Sequence, residues 1–95
     1  MLTEKMKNNL IIKITQELDP AFILLFGSFA KQTAHAASDI DLAYFSDKQL
    51  APYERFLLAS EIAEVSGREV DLVDIKQIDT VFTMQIFEQG ILIYI

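Results

Sequence analysis

The sequence predicts one α/β domain over residues 1–95, and three observations predict it. Helical and strand-like segments alternate along the chain. One run, AFILLF at residues 21–26, is wholly apolar, as suits a strand covered on both faces. Another, DIDLAYF at 39–45, alternates, as a strand does when one face meets the core and the other a cleft. The order is helix, strand, short helix, strand, helix, strand, helix, strand, with no internal repeat and no linker.

The first helix is expected over residues 3–18. Met6, Leu10, Ile11, Ile14 and Leu18 recur at three- and four-residue spacing and form one apolar stripe. Thr3 is placed to cap it, and Asp19-Pro20 ends it, because the residue before a proline avoids the helical region. After the AFILLF strand, Gly27 and Ser28 make a turn. Phe29 to about Thr33 allows a turn or two of helix, and residues 34–38 read as a loop containing His35. In the strand 39–45, Asp39, Asp41 and Ala43 face one way and Ile40, Leu42 and Tyr44 the other.

Residues 51–65 read as an amphipathic helix on Tyr53, Phe56, Leu57, Ile62 and Val65. Pro52 sits in its first turn and Gly67 marks its end. EVDLVDI at 69–75 reads as the third strand. Residues 77–88 form another helix on Ile78, Val81, Phe82, Ile86 and Phe87, stopped at Gly90, and ILIYI at 91–95 is a last strand. Phe22, Phe26, Phe56, Phe82 and Phe87 fall at core spacing, while Tyr44 suits either core or cleft wall.

Composition narrows the chemistry. Hydrophobic residues make up 52% of the 95, enough for a core and too many for a disordered chain. No apolar stretch reaches the roughly 18–20 residues that span a bilayer, and MLTEKMKNN lacks a leader's apolar segment, so a cytoplasmic protein without a membrane partner is expected. The absence of cysteine excludes disulfides and thiolate metal sites, and the single His35 argues against a histidine-based zinc site or triad. A net charge of −6 argues against stable nucleic-acid binding, which draws its affinity from Lys and Arg on phosphates. An acidic protein still takes a phosphate-rich ligand when a divalent cation stands between them.

Residues 27–41, GSFAKQTAHAASDID, carry the chemistry. Asp39 and Asp41 project from one strand face, several ångströms apart. Carboxylates that close repel unless a cation joins them, and Mg²⁺ suits hard oxygen ligands completed by water and phosphate. The plainer alternative is a solvated strand face, with Asp39 capping a turn. Gly27 permits a sharp turn and close ligand approach just before a helix start, where free N–H groups bind phosphate, and Ser28 adds a hydroxyl. An ordinary turn with an N-cap is the alternative there. Lys31 is placed to reach a phosphate oxygen or to stand solvated. A third acid is needed as base or second-metal ligand, and Asp71, between Val70 and Leu72, is preferred over Glu69 and Asp74. Asp74 has the opposite parity and is expected to point toward a helix N-terminus or solvent.

Gly27-Ser28, ten intervening residues, Asp39-x-Asp41 and a later strand Asp together resemble the signature of the DNA polymerase β-like nucleotidyltransferases. Within them the chain is most similar to the minimal nucleotidyltransferase (MNT) group. The likeness runs through SDIDL at 38–42, VDLVDI at 70–75 and EQGILIYI at the close. It implies a polymerase β-like fold: a small mixed β-sheet with helices packed on one face and the active site on the open face. It implies Asp39 and Asp41 as Mg²⁺ ligands, Asp71 as the third carboxylate, and Gly27 and Ser28 as triphosphate contacts. Two positions depart from the family pattern: Lys31 stands where many members have Arg, giving up the bidentate fork, and Gln32 where many have Gly.

The resemblance implies a Mg²⁺-dependent transfer of AMP from ATP to a hydroxyl, with a tyrosine of an all-helical HEPN toxin as acceptor and the chain as antitoxin. Larger relatives carry an extra helical domain for base and acceptor. Here that surface is expected from the HEPN partner or a second copy, in a hetero-oligomer or homodimer. Two other readings stand beside it. One is an aminoglycoside-like transferase with a small-molecule acceptor, and the other is an antitoxin that acts by binding alone.

Overall fold

The computed structural model describes residues 2–31, 33–34 and 38–95. Helix α1 spans Glu4–Leu18, strand β1 Phe22–Phe26, the single-turn helix α2 Gly27–Ala30 and strand β2 Ile40–Phe45. Helix α3 spans Pro52–Ser66, β3 Val70–Asp74, α4 Thr80–Gln89 and β4 Ile91–Tyr94, with one 3₁₀ turn at Ile75–Gln77.

The strands form one mixed sheet in the order β3-β2-β1-β4. β1 pairs antiparallel with β2 and β4, and β2 runs parallel to β3. A parallel pair needs a crossover, and α3 supplies it. α1 and α3 cover one sheet face. Leu10, Ile14 and Leu18 of α1 and Leu58 and Ile62 of α3 pack there on Ile23, Leu25, Ile40, Leu42, Tyr44 and Leu72. Alternation along the strands turns Leu24 and Ala43 to the other face, where Ile75 and Ile86 cover them with Phe22, Phe26 and Phe82 alongside. α4 therefore lies across part of the second face.

Thr3 caps α1 as its sequence position suggests: its Oγ1 accepts from the Met6 N–H at 3.1 Å. At the helix's far end the Ser46 hydroxyl donates to the Leu18 carbonyl at 2.5 Å, fastening α1 to the end of β2. Tyr44 is core, fully buried on the α1/α3 side.

Several apolar residues expected in the core are instead exposed. Phe56 is 66% exposed, Phe87 53% and Val81 66%, and Tyr53, Leu57 and Val65 are also at the surface. α3 carries apolar residues on two sides, and only the side of Leu58, Ile62 and Ser66, at four-residue spacing, meets the sheet. The last helix starts at Thr80 rather than 77 because Asp79 caps it, accepting from the Phe82 N–H at 2.7 Å. The third strand stops at Asp74, whose Oδ1 accepts from the Lys76 N–H at 2.9 Å and starts the 3₁₀ turn. Asp74 is buried rather than solvated. Its Oδ2, the Tyr44 hydroxyl and Arg55 Nη1 are buried without hydrogen-bond partners among the described residues.

Candidate active site

The site stands where β1 ends and β2 and β3 begin. Gly27 turns the chain with φ of +71°, in the region only glycine enters freely. A side chain there has no room: a β-carbon built on Gly27 would overlap Asp41 Oδ2 and stand 3.0 Å from its Cγ. The glycine thus lets the backbone lie directly on the Asp41 carboxylate.

Strand register brings the next pieces together. Phe26 is opposite Asp41 in the antiparallel pair, and Asp41 is opposite Asp71 in the parallel pair. Residues that share a rung share a face, so both carboxylates point to the side away from α1 and α3. Phe26 stands at the border of this patch, its ring edge-on to Phe82 of α4 at 5.9 Å. Asp39 lies just before β2 at the same parity, exposed, and Asp71 is exposed as well. Asp41 is the half-buried member. Its carboxyl is held above the usual carboxylate range, first by burial and then by the negative charges of Asp71 and Asp39.

Among the described residues no three acidic or imidazole side chains close on one point as a complete metal cage would. Mg²⁺ does not require one, since one or two carboxylates suffice when water and substrate phosphates fill the rest of its octahedron. The donor set fits such an ion. All three groups are hard oxygen ligands, and the repulsion from Asp71 and Asp39, which adds to burial in raising Asp41, is what a divalent cation would relieve.

α2 is a single turn, so its dipole is slight, and what it offers an anion is its first-turn amides beside Ser28. Lys31 follows at its exposed end and makes no ion pair among the described residues. Glu69 is exposed ahead of β3, and Asp74 faces the opposite side of the sheet, buried beneath α3. Gln32 and His35 lie outside the described residues.

Sequence reasoning passed over Arg68. Its Nη1 donates to the Ser38 carbonyl at 3.2 Å, and its guanidinium stands 5.0 Å from the centre of the Phe29 ring. An arginine directly after a helix-stopping glycine and before an acid-bearing strand was the available signal. An open cleft of about 430 Å³ borders Asp39, lined in part by Ser38, Gly67 and Arg68.

Residues 8–95 match the family described as polymerase beta, nucleotidyltransferase. The chain belongs to the polymerase β nucleotidyltransferase family. Over 89 residues this nucleotidyltransferase domain is 36% identical to protein adenylyltransferase MntA of Shewanella oneidensis, covering 92% of this chain. It spans 64% of that relative's length, just under two thirds. It is also similar to a toxin–antitoxin crystal structure with AMP-PNP, at 36% identity and a TM-score of 0.81, covering 90% of this chain and 70% of that one. A complex of the MNT antitoxin with a tri-AMPylated Shewanella oneidensis HEPN toxin matches at 28% identity and a TM-score of 0.80, covering 95% and 70%. The nucleotidyltransferase fold and family expected from the sequence are thereby established. No helix of the described residues is long and apolar enough to cross a membrane.

Proposed function

We propose that this nucleotidyltransferase transfers AMP from ATP, with Mg²⁺, to a tyrosine hydroxyl of a HEPN-type helical protein, and acts as that protein's antitoxin. The observation that carries the reading is the rung on which Asp41 and Asp71 stand side by side, with Gly27 pressed on one and Asp39 two residues away. The similar proteins support it: one is named a protein adenylyltransferase, one complex contains AMP-PNP, and another holds an AMPylated HEPN toxin.

In this mechanism the Gly27–Ser28 turn holds the triphosphate through its amides and the Ser28 hydroxyl. Lys31, at the end of the same turn, balances phosphate charge. Asp39 and Asp41 would hold the metal ion, which would supply charge neutralisation at the phosphates. Asp71 orients the acceptor hydroxyl and takes its proton, or shares a second ion. The acceptor oxygen bonds to the α-phosphorus, the bond to the bridging oxygen breaks, and pyrophosphate leaves.

The test is incubation of the chain with labelled ATP, Mg²⁺ and the product of the neighbouring gene as acceptor. Label should appear on that protein and disappear with Asp41→Ala. Inhibition of the acceptor without label would mean an antitoxin that acts by binding alone. Label found only on an added aminoglycoside would mean a small-molecule transferase.

A further inference from the structure

We infer that Arg68 is a positioning residue of this site, holding the backbone that presents Asp39; the inference rests on the metal-dependent reading above. Three pieces of the site meet at this residue. Its Nη1 donates to the carbonyl of Ser38, the residue directly before Asp39. Its guanidinium lies over the ring of Phe29, a buried residue of the one-turn helix that begins with Gly27 and Ser28. Its own backbone leads into β3, three residues ahead of Asp71.

Asp39 needs such a support. It is exposed and precedes β2, so the sheet ladder does not include it. On its far side the Ile40 N–H donates to the Glu69 carbonyl at 2.9 Å, which is the first rung between β2 and the approach to β3. On its near side the Arg68 bond to Ser38 continues that ladder by one step, made by a side chain. Asp39 is thereby bracketed between two anchored residues. Both anchors come from the same two-residue stretch, Arg68 and Glu69.

The contact has a geometry only arginine provides. A planar guanidinium stacks on an aromatic face while an edge N–H donates in plane. Lysine keeps the charge and reaches one of the two partners. Methionine keeps the apolar stem and reaches neither. Groups that orient a metal ligand from behind typically change metal affinity by about 10–100-fold when removed.

The experiment uses the whole chain with Mn²⁺ as the probe, titrated by electron paramagnetic resonance in the presence of a non-hydrolysable ATP analogue. Melting temperature is measured on the same samples. Arg68→Met should weaken Mn²⁺ uptake about tenfold or more, with Arg68→Lys between it and the wild type. Melting should move far less than the metal affinity. In the transfer assay the metal concentration for half-maximal rate should rise, while the rate at saturating metal stays near the wild-type value. If Arg68→Met fails to fold, Arg68→Lys decides alone: weaker metal uptake at an unchanged melting point supports the inference. A folded Arg68 variant that takes up Mn²⁺ as tightly as the wild type overturns it. A wild-type chain that takes up no metal–nucleotide at all overturns both this inference and the function on which it rests.

Discussion

The backbone of Gly27 rests on the carboxylate of Asp41, so closely that a β-carbon there would overlap Oδ2. One residue thus shapes the turn for phosphate and leaves the acid its place.

Gly27→Ala should therefore fail in two ways. An alanine at φ of +71° costs roughly 1–2 kcal/mol in backbone strain, and its methyl group must push Asp41 aside. The variant should melt lower and lose transfer almost completely. Retention of near wild-type nucleotide affinity would refute the close approach.

The raised Asp41 carboxyl gives a pH dependence whose sign follows from linkage. The folded, metal-free protein holds this proton more tightly than the unfolded chain does, so folding stability falls as pH rises from 3.8, the group's ordinary value, through the raised one. Mg²⁺ with nucleotide should reverse the loss. Asp41→Asn, nearly isosteric, removes the charge and should melt higher than the wild type at neutral pH without metal, while transferring nothing. Melting curves across pH, with and without Mg²⁺, check this, and a lower melting point for Asp41→Asn at pH 7 would contradict it.

Asp71→Asn should lower transfer by about two to three orders of magnitude, since a carboxylate that serves the metal or the hydroxyl lowers the barrier by about 3–4 kcal/mol. Glu69→Gln, on an exposed residue ahead of β3 that lines the cleft beside Asp39 without sharing the Asp41–Asp71 rung, should stay within about twofold. Equal losses in the two would mean that general negative charge, rather than the shared rung, matters.

On the α3 side of the sheet, buried Tyr44 and Asp74 and the half-buried Arg55 of α3 make a stability prediction of their own. The Tyr44 hydroxyl is pushed toward its neutral form by burial and by the Asp74 charge, with Arg55 opposing. Tyr44→Phe removes a hydroxyl that comes near Arg55 but completes no hydrogen bond among the described residues, and should change stability by less than about 1 kcal/mol. Asp74→Ala removes the cap of the 3₁₀ turn and a buried carboxylate beside Tyr44, and should cost about 2–3 kcal/mol in urea unfolding. The two variants behaving alike would show that the cluster is not polar in its effect.

Much of this was readable from local pattern. The stripe Leu10, Ile14, Leu18 and the cap at Thr3 are short-range facts, as are the glycine turn and the shared parity of Asp39 and Asp41. Parity also put Asp71 and Asp74 on opposite faces. It could not make Asp71 the neighbour of Asp41, because that depends on which strands pair and in what register. Phe56 and Phe87 misled because a helix rich in apolar residues does not declare which side the sheet will take. Asp79-Thr80 was a legible helix start, overlooked in favour of the apolar spacing. Arg68 was hidden because its partner is a carbonyl 30 residues away.

The parallel ladder between β2 and β3 has a last consequence. Sliding β3 by one residue would set Val70 or Leu72 opposite Asp41, turn Leu72 out of the core and exchange Asp71 for Asp74 on the side beneath α3. Misalignment of the reactive pair thus strips the interior of an apolar side chain, and the packing that holds Leu72 also keeps the two acids abreast.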